Sequence, residues 1–169
     1  MRSNAKIALA NCFLLLTAFL FIKAGCSKSN EDIDSGEIPA ADQYVTWNLN
    51  NAKGSLQSPS DSLFGYVNSG STSIHGGTTY NAPSPIYFSA AFNGLTTGTF
   101  SLTDLNIMTN GRYYINTSTS VQVTVTTYGN AGQYLIGSYA GTVKDSTSNG
   151  QTSTAVYPIH GNFKVKRLN

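Results

Sequence analysis

Few residues in this chain have the type and spacing to do chemistry. His75 and His160 are its only histidines, and a general base or a metal ligand would be sought there first. They lie 85 positions apart, whereas a zinc site takes four ligands from Cys, His and carboxylates. Period-two alternation puts both on the polar side of their strands, so they read as surface residues. Asp61, Asp104 and Asp145 are isolated carboxylates beside turn formers, where Asp side chains bond nearby backbone. A glycosidase pair among them would need a proximity that spacing does not reveal. Gly137-Ser138-Tyr139-Ala140-Gly141 holds its serine one place early for a nucleophile elbow, and the glycines lack the strand-to-helix context of a phosphate loop. No catalytic residue, metal site or cofactor is expected, and no enzyme.

The remaining chemistry belongs to a thiol. Cys12 and Cys26 are the only cysteines, and Cys12 sits within IALANCFLLLTAFLFI, sixteen uncharged residues between Lys6 and Lys23. That run is short of the roughly 20 residues a membrane span needs. With Arg2 and Lys6 before it, it fits a secretory h-region. Lys23-Ala24-Gly25-Cys26 comes immediately after. Here the chain resembles the bacterial lipoprotein signal, in which an aliphatic residue and two small residues precede a cysteine that becomes diacylglyceryl-modified and N-acylated. The resemblance implies cleavage between Gly25 and Cys26, with lipid attached at Cys26. Lys23 departs from the aliphatic position, and an uncleaved N-terminal anchor is the alternative. Losing Cys12 with the signal would leave Cys26 alone and no disulfide possible. Two acyl chains already anchor stably, at about 0.8 kcal/mol per buried CH₂.

Composition constrains the chain beyond the signal. Ser 20, Thr 19, Asn 16 and Gly 16 make up 71 of the 169 residues, against 18 charged ones. The polarity is uncharged, which excludes a basic nucleic-acid binder and a coiled coil, while 10 Tyr, 8 Phe and 1 Trp exclude disorder. Removing residues 1–25 takes away three cations and moves the formal charge from +2 to −1. Residues 26–42 then form an acylated cysteine and an acidic tether. With little to bury, about sixteen flexible residues span roughly 20 to 24 Å. Surface-displayed lipoproteins of Bacteroidota-type bacteria often carry an acidic patch soon after the acylated cysteine, and Glu31, Asp32 and Asp34 look like one. The resemblance implies the outer membrane and display at the cell surface.

From Tyr44 onward the apolar period is two, with turn signals at short intervals. In YVTWNLN, Val45, Trp47 and Leu49 share a face, and Asn50 to Gly54 is expected to end the strand. LFGYV (63–67), TSIHGGTTY (72–80) and IYFSAAF (86–92) come next, then TFSL and a stretch from Ile107 to Ile115 broken at Asn110-Gly111. Val121, Val123 and Val125 alternate with polar residues, QYLIGSYAGTV succeeds them, and Ile159, Gly161, Phe163 and Val165 close the last strand. No helical segment of ten residues and no repeat interrupts the series. Residues 43–169 are therefore expected to be an all-β, antiparallel sandwich or barrel of about eight short strands.

The C-terminal quarter, with Tyr128-Gly129, Ile136-Gly137, Gly141, Gly161, Phe163 and Val165, is similar to the end of many small Bacteroidota-type lipoproteins of unknown function. The resemblance implies a fold and an address without an activity. Asp61-Ser62-Leu63 and Asp145-Ser146-Thr147 also resemble O-glycosylation acceptors of the same bacteria, although Asp in a turn accounts for both. Two functional classes stand. One is a structural or accessory envelope component offering a strand edge or loop to a protein partner. The other is a ligand-binding module, with glycans a candidate, because tyrosines beside Asn, Ser and Thr supply stacking faces and hydrogen bonds. Expected partners are the membrane, through the lipid, and an envelope protein or glycan, with no nucleic acid.

Overall fold

The computed structural model describes residues 42–78, 82–146 and 151–169, with only the backbone at 118 and 119. The expected signal peptide, its cleavage after Gly25, Cys26 and the acidic tether lie outside the described residues. Nine strands succeed one another: β1 (Tyr44–Leu49), β2 (Ala52–Gln57), β3 (Ser62–Asn68), β4 (Ser71–Gly77), β5 (Tyr87–Asn93), β6 (Gly98–Thr109), β7 (Arg112–Tyr128), β8 (Tyr134–Ser146) and β9 (Thr152–Lys166). They form one sheet in the order β2-β1-β9-β8-β7-β6-β5-β4-β3, antiparallel throughout. The all-β antiparallel reading holds.

β2 is the element the alternation hid. Asn50 (φ 49°) and Asn51 (φ 67°) both take left-handed backbone, which is what a two-residue hairpin matched to strand twist requires. Ala52 to Gln57 therefore turns back to pair with β1, in register from Leu49↔Ala52 to Tyr44↔Gln57. The expected strand end at Asn50–Gly54 is a tight turn and the start of another strand. Asn110 (φ 51°) and Gly111 (φ 73°) make the same kind of hairpin between β6 and β7, where the sequence placed a break.

Strand direction decides between sandwich and barrel. β1 is antiparallel to both β2 and β9, so β2 and β9 run the same way, and the parallel bridge Gly65↔Arg167 gives β3 that direction too. β2 and β3 are thus successive pieces of one interrupted strand. The first holds β1, the second holds β4, and the chain shifts between them across residues 58–61. Eight strand positions close on themselves as a barrel, and a two-sheet sandwich does not form.

The last residues complete the closure. Leu168 N donates to Gly65 O at 2.9 Å. The Asn169 side chain then pairs with Val67 as a strand would, accepting from its N–H and donating to its carbonyl, each at 2.8 Å. Across the interior, the Phe88 ring of β5 lies 5.7 Å from the Tyr139 ring of β8.

A barrel this narrow must set large side chains against small ones. Trp47 pairs across strands with Gly54, Phe163 with Gly137, and Tyr139 with Gly161. A methyl group on Gly54 would stand 2.4 Å from the indole, and one on Gly161 would stand 2.0 Å from the Thr46 carbonyl oxygen. Each ring lies over the bare backbone opposite. Val45, Leu56, Ile74, Phe88, Phe92, Leu105, Ile107, Val121, Leu135 and Val165 fill the remaining interior and are buried, each contributing about 1.5 to 3 kcal/mol on the usual area scale.

Candidate functional site

The two ends of the barrel differ. At the end where β3, β5, β7 and β9 finish, Thr72 is fully buried and gives its hydroxyl proton to Gly94 O at 2.6 Å. Its oxygen must then accept from the Tyr128 phenol at 2.8 Å. Arg167 lies over the Tyr128 ring at 5.2 Å and donates to Gly129 O at 2.8 Å, while its own backbone bonds Gly132 and Gln133. Phe92 and Phe100 stack at 5.3 Å beneath. Side chains and C-terminal backbone seal this end.

The chain also enters β1 here. Asp42 accepts a hydrogen bond from the Tyr134 hydroxyl and lies 3.8 Å from Lys164 Nζ, itself 4.6 Å from the centre of the Tyr134 ring. The bond to Asp42, more than desolvation, raises the Tyr134 pKa above its usual value. Gln43 joins the same end, since its side chain accepts from Lys166 N at 2.6 Å and its carbonyl from Ser58 N at 3.0 Å.

At the other end, bearing the Asn50-Asn51 and Asn110-Gly111 turns, the barrel keeps a cavity of about 320 Å³. Trp47, Leu49, Tyr114 and Tyr157 form its apolar wall, and Asn50, Lys53, Asn110 and Arg112 line it with amides and positive charge. Tyr114 and Tyr157 meet edge to face at 5.9 Å, a favoured arrangement for two rings. Arg112 reaches Asp145 at 3.4 Å from an exposed position, so that pair stabilises the fold little. The volume sits at the lower limit of small-molecule sites, which run from about 300 Å³ and favour barrel mouths.

A second hollow of about 260 Å³ lies on the outer face between β2, β1 and β9, and shares Trp47 and Lys53 with the first. It exists because β1 and β9 part between the pairs Val45↔Phe163 and Asn48↔His160. The Thr46 hydroxyl fills the gap, accepting from Asn162 N at 3.0 Å and donating to Asn162 O at 3.4 Å. Inside, Tyr139 donates its phenolic proton to Thr46 O at 2.8 Å, and burial pushes its pKa far above the ordinary tyrosine value. Asn48, Ser55, Gln57, His160 and Asn162 line the hollow, giving it hydrogen-bonding groups of low charge.

Of the candidates drawn from sequence, His160 lies at this hollow and Asp145 beside the mouth, and the others fall elsewhere. His75 is half-buried on the outer face, stacked on Phe64 at 5.2 Å, with Nε2 3.1 Å from Ser73 Oγ. Asp61 does what a turn carboxylate does, accepting from Gln57 N at 2.7 Å. Asp104 lies within β6, not beside a turn, where it accepts from Ser89 and Asn106. Asp145 belongs to β8 and faces Arg112. Among the described residues, no three of His, Cys, Asp or Glu gather where they could hold a metal. Trp47 is a core residue, 4% exposed, as its alternation with Val45 and Leu49 requires. Spacing could not reveal Lys53, Arg112, Tyr114 and Tyr157, because the mouth unites them from β2, β7 and β9. The only local signal was the pair of tight turns at its rim.

No protein-family model, curated protein or solved structure matches the chain.

Proposed function

We propose that this chain is a lipoprotein of the bacterial outer membrane, held through Cys26 and carrying its barrel as a non-enzymatic accessory module at the cell surface. One observation supports this reading most: Asp42 and Gln43, where a tether from Cys26 would arrive, are tied into the sealed end of the barrel. On this reading the attachment side faces the membrane. The end with the cavity then faces away from it, toward a partner.

Cys26→Ser should release the protein from the membrane fraction or stall it with its signal attached. A variant that partitions with membranes as the processed parent does would refute lipid anchoring. Protease added to intact cells should shave the barrel off, whereas protection until the outer membrane is opened would place it on the periplasmic side.

A ligand-binding role is the second reading, and the mouth favours it. Stacking on an exposed Trp47 is ruled out by that residue's burial, but Tyr114 and Tyr157 line the cavity. On the adjoining outer face, Tyr87 and Tyr113 flank Met108 in one cross-strand row, 42% and 38% exposed.

A further inference from the structure

Residues 43–163 contain three cations, Lys53, Arg112 and Lys144. Two of the three line the barrel mouth, and among the described lining residues there is no carboxylate, Asp145 standing beside Arg112. Concentrating positive charge in one concavity of a nearly uncharged body raises the local concentration of anions there. The wall behind that charge is aromatic, formed by Trp47, Tyr114 and Tyr157, while the Asn110 amide at the rim both donates and accepts hydrogen bonds. A ligand that satisfies all three features has a flat apolar face for the rings, hydroxyls for the amide and one negative group for the guanidinium. We infer that the mouth binds a single sugar unit bearing a carboxylate, with its acid group on Arg112 and Lys53 and its ring against Tyr114 and Tyr157.

This rests on the ligand-binding reading and adds the chemistry of the ligand. Arg112 suits the role because a guanidinium holds a carboxylate through two parallel hydrogen bonds. Asp145, 3.4 Å away, now occupies it in part. A carboxylated ligand must compete with that side chain, so Asp145→Asn should tighten binding. A purely structural role for the pair would not produce that gain.

Trp47, the only tryptophan, lines the cavity and reports on occupancy. The full chain in detergent solution would be titrated with glucuronate, and separately with glucose, while Trp47 emission is followed. A saturable change is expected with glucuronate and little with glucose. Arg112→Gln should weaken glucuronate by roughly tenfold, the loss of one charge-assisted hydrogen bond. Asp145→Asn should strengthen it, and added salt should weaken it. Equal responses to the two sugars would overturn the acidic ligand while keeping a binding mouth. No saturable response to either would overturn the mouth as a sugar site. Glucuronate binding indifferent to both Arg112→Gln and Asp145→Asn would overturn the assignment of the acid group to Arg112.

Discussion

The sealed and open ends of this barrel are built from the same residue types, yet they use them differently. At the sealed end the Tyr128 phenol donates to a buried threonine, and an arginine lies over its ring and bonds a loop carbonyl. At the open end Tyr114 and Tyr157 touch each other and a cavity, and Arg112 projects from the rim. Where polar groups are all spent on each other, tyrosine and arginine are fold. Where they line a cavity, the same side chains keep a face that no described residue covers. Part of the difference lies in the C-terminus, where residues 167–169 bond β3 and the turn after β7, and the Arg167 side chain reaches over Tyr128 to Gly129 O.

The largest test of this contrast falls on Trp47, which belongs to the core and also borders both hollows. Trp47→Ala should lower unfolding free energy by about 3 to 5 kcal/mol, as large-to-small core changes do. In the parent protein its emission should be blue-shifted and poorly quenched by acrylamide. Loss below about 0.5 kcal/mol, the range of surface substitutions, would move Trp47 out of the core and into the mouth.

Tyr139→Phe comes next, at about 1 to 3 kcal/mol, since the buried Thr46 carbonyl loses its donor. It also carries a pH signature. Burial raises the Tyr139 pKa in the folded state above the ordinary value of about 10, so the unfolded chain releases that proton first. Stability is whole below pH ~10 and falls as pH climbs beyond it, by up to about 1.4 kcal/mol per pH unit. Denaturant unfolding of the phenylalanine variant should therefore depend less steeply on alkaline pH. An unchanged slope would mean that Tyr139 titrates normally and is not sealed inside.

Smaller effects separate the ends themselves. Tyr128→Phe removes the donor to Thr72 and should cost about 1 kcal/mol, whereas Arg112→Gln at the open rim should stay within about 0.5 kcal/mol. Chemical denaturation of the two variants side by side checks the pair. Equal costs would erase the distinction between a residue that closes the fold and one that borders a site.

Much of the strand series was legible because alternation survives wherever one face is buried, as at Val121, Val123 and Val125. β2 was not, because AKGSLQ has Leu56 as its one large apolar residue, with Gly54 under an indole contributed by β1. Gly137 and Gly161 stood out in the sequence as a pattern. Their reason, the rings of Phe163 and Tyr139 pressed on them from the neighbouring strand, is a cross-strand fact invisible to local spacing. The mouth was illegible on the same ground: Trp47, Lys53, Arg112, Tyr114 and Tyr157 come from four strands, and only register brings them together. Choosing a barrel over a sandwich required the partner of the second edge of β3, and its bonds to Arg167, Leu168 and Asn169 join residues about 100 positions apart.

Among the described residues, one end of the barrel is closed by the chain itself and the other keeps a cavity, and amide hydrogen exchange reads that difference residue by residue. The N–H groups of Gly129, Gly132, Arg167 and Leu168, all bonded to backbone carbonyls, should exchange slowly for loop and terminal positions. Those of Asn51, Asn110 and Gly111 at the mouth should exchange much faster. Fast exchange at Arg167 and Leu168, equal to that at Asn110 and Gly111, would contradict this closure, for the C-terminus would then not be joining β3 to the rest of the barrel wall.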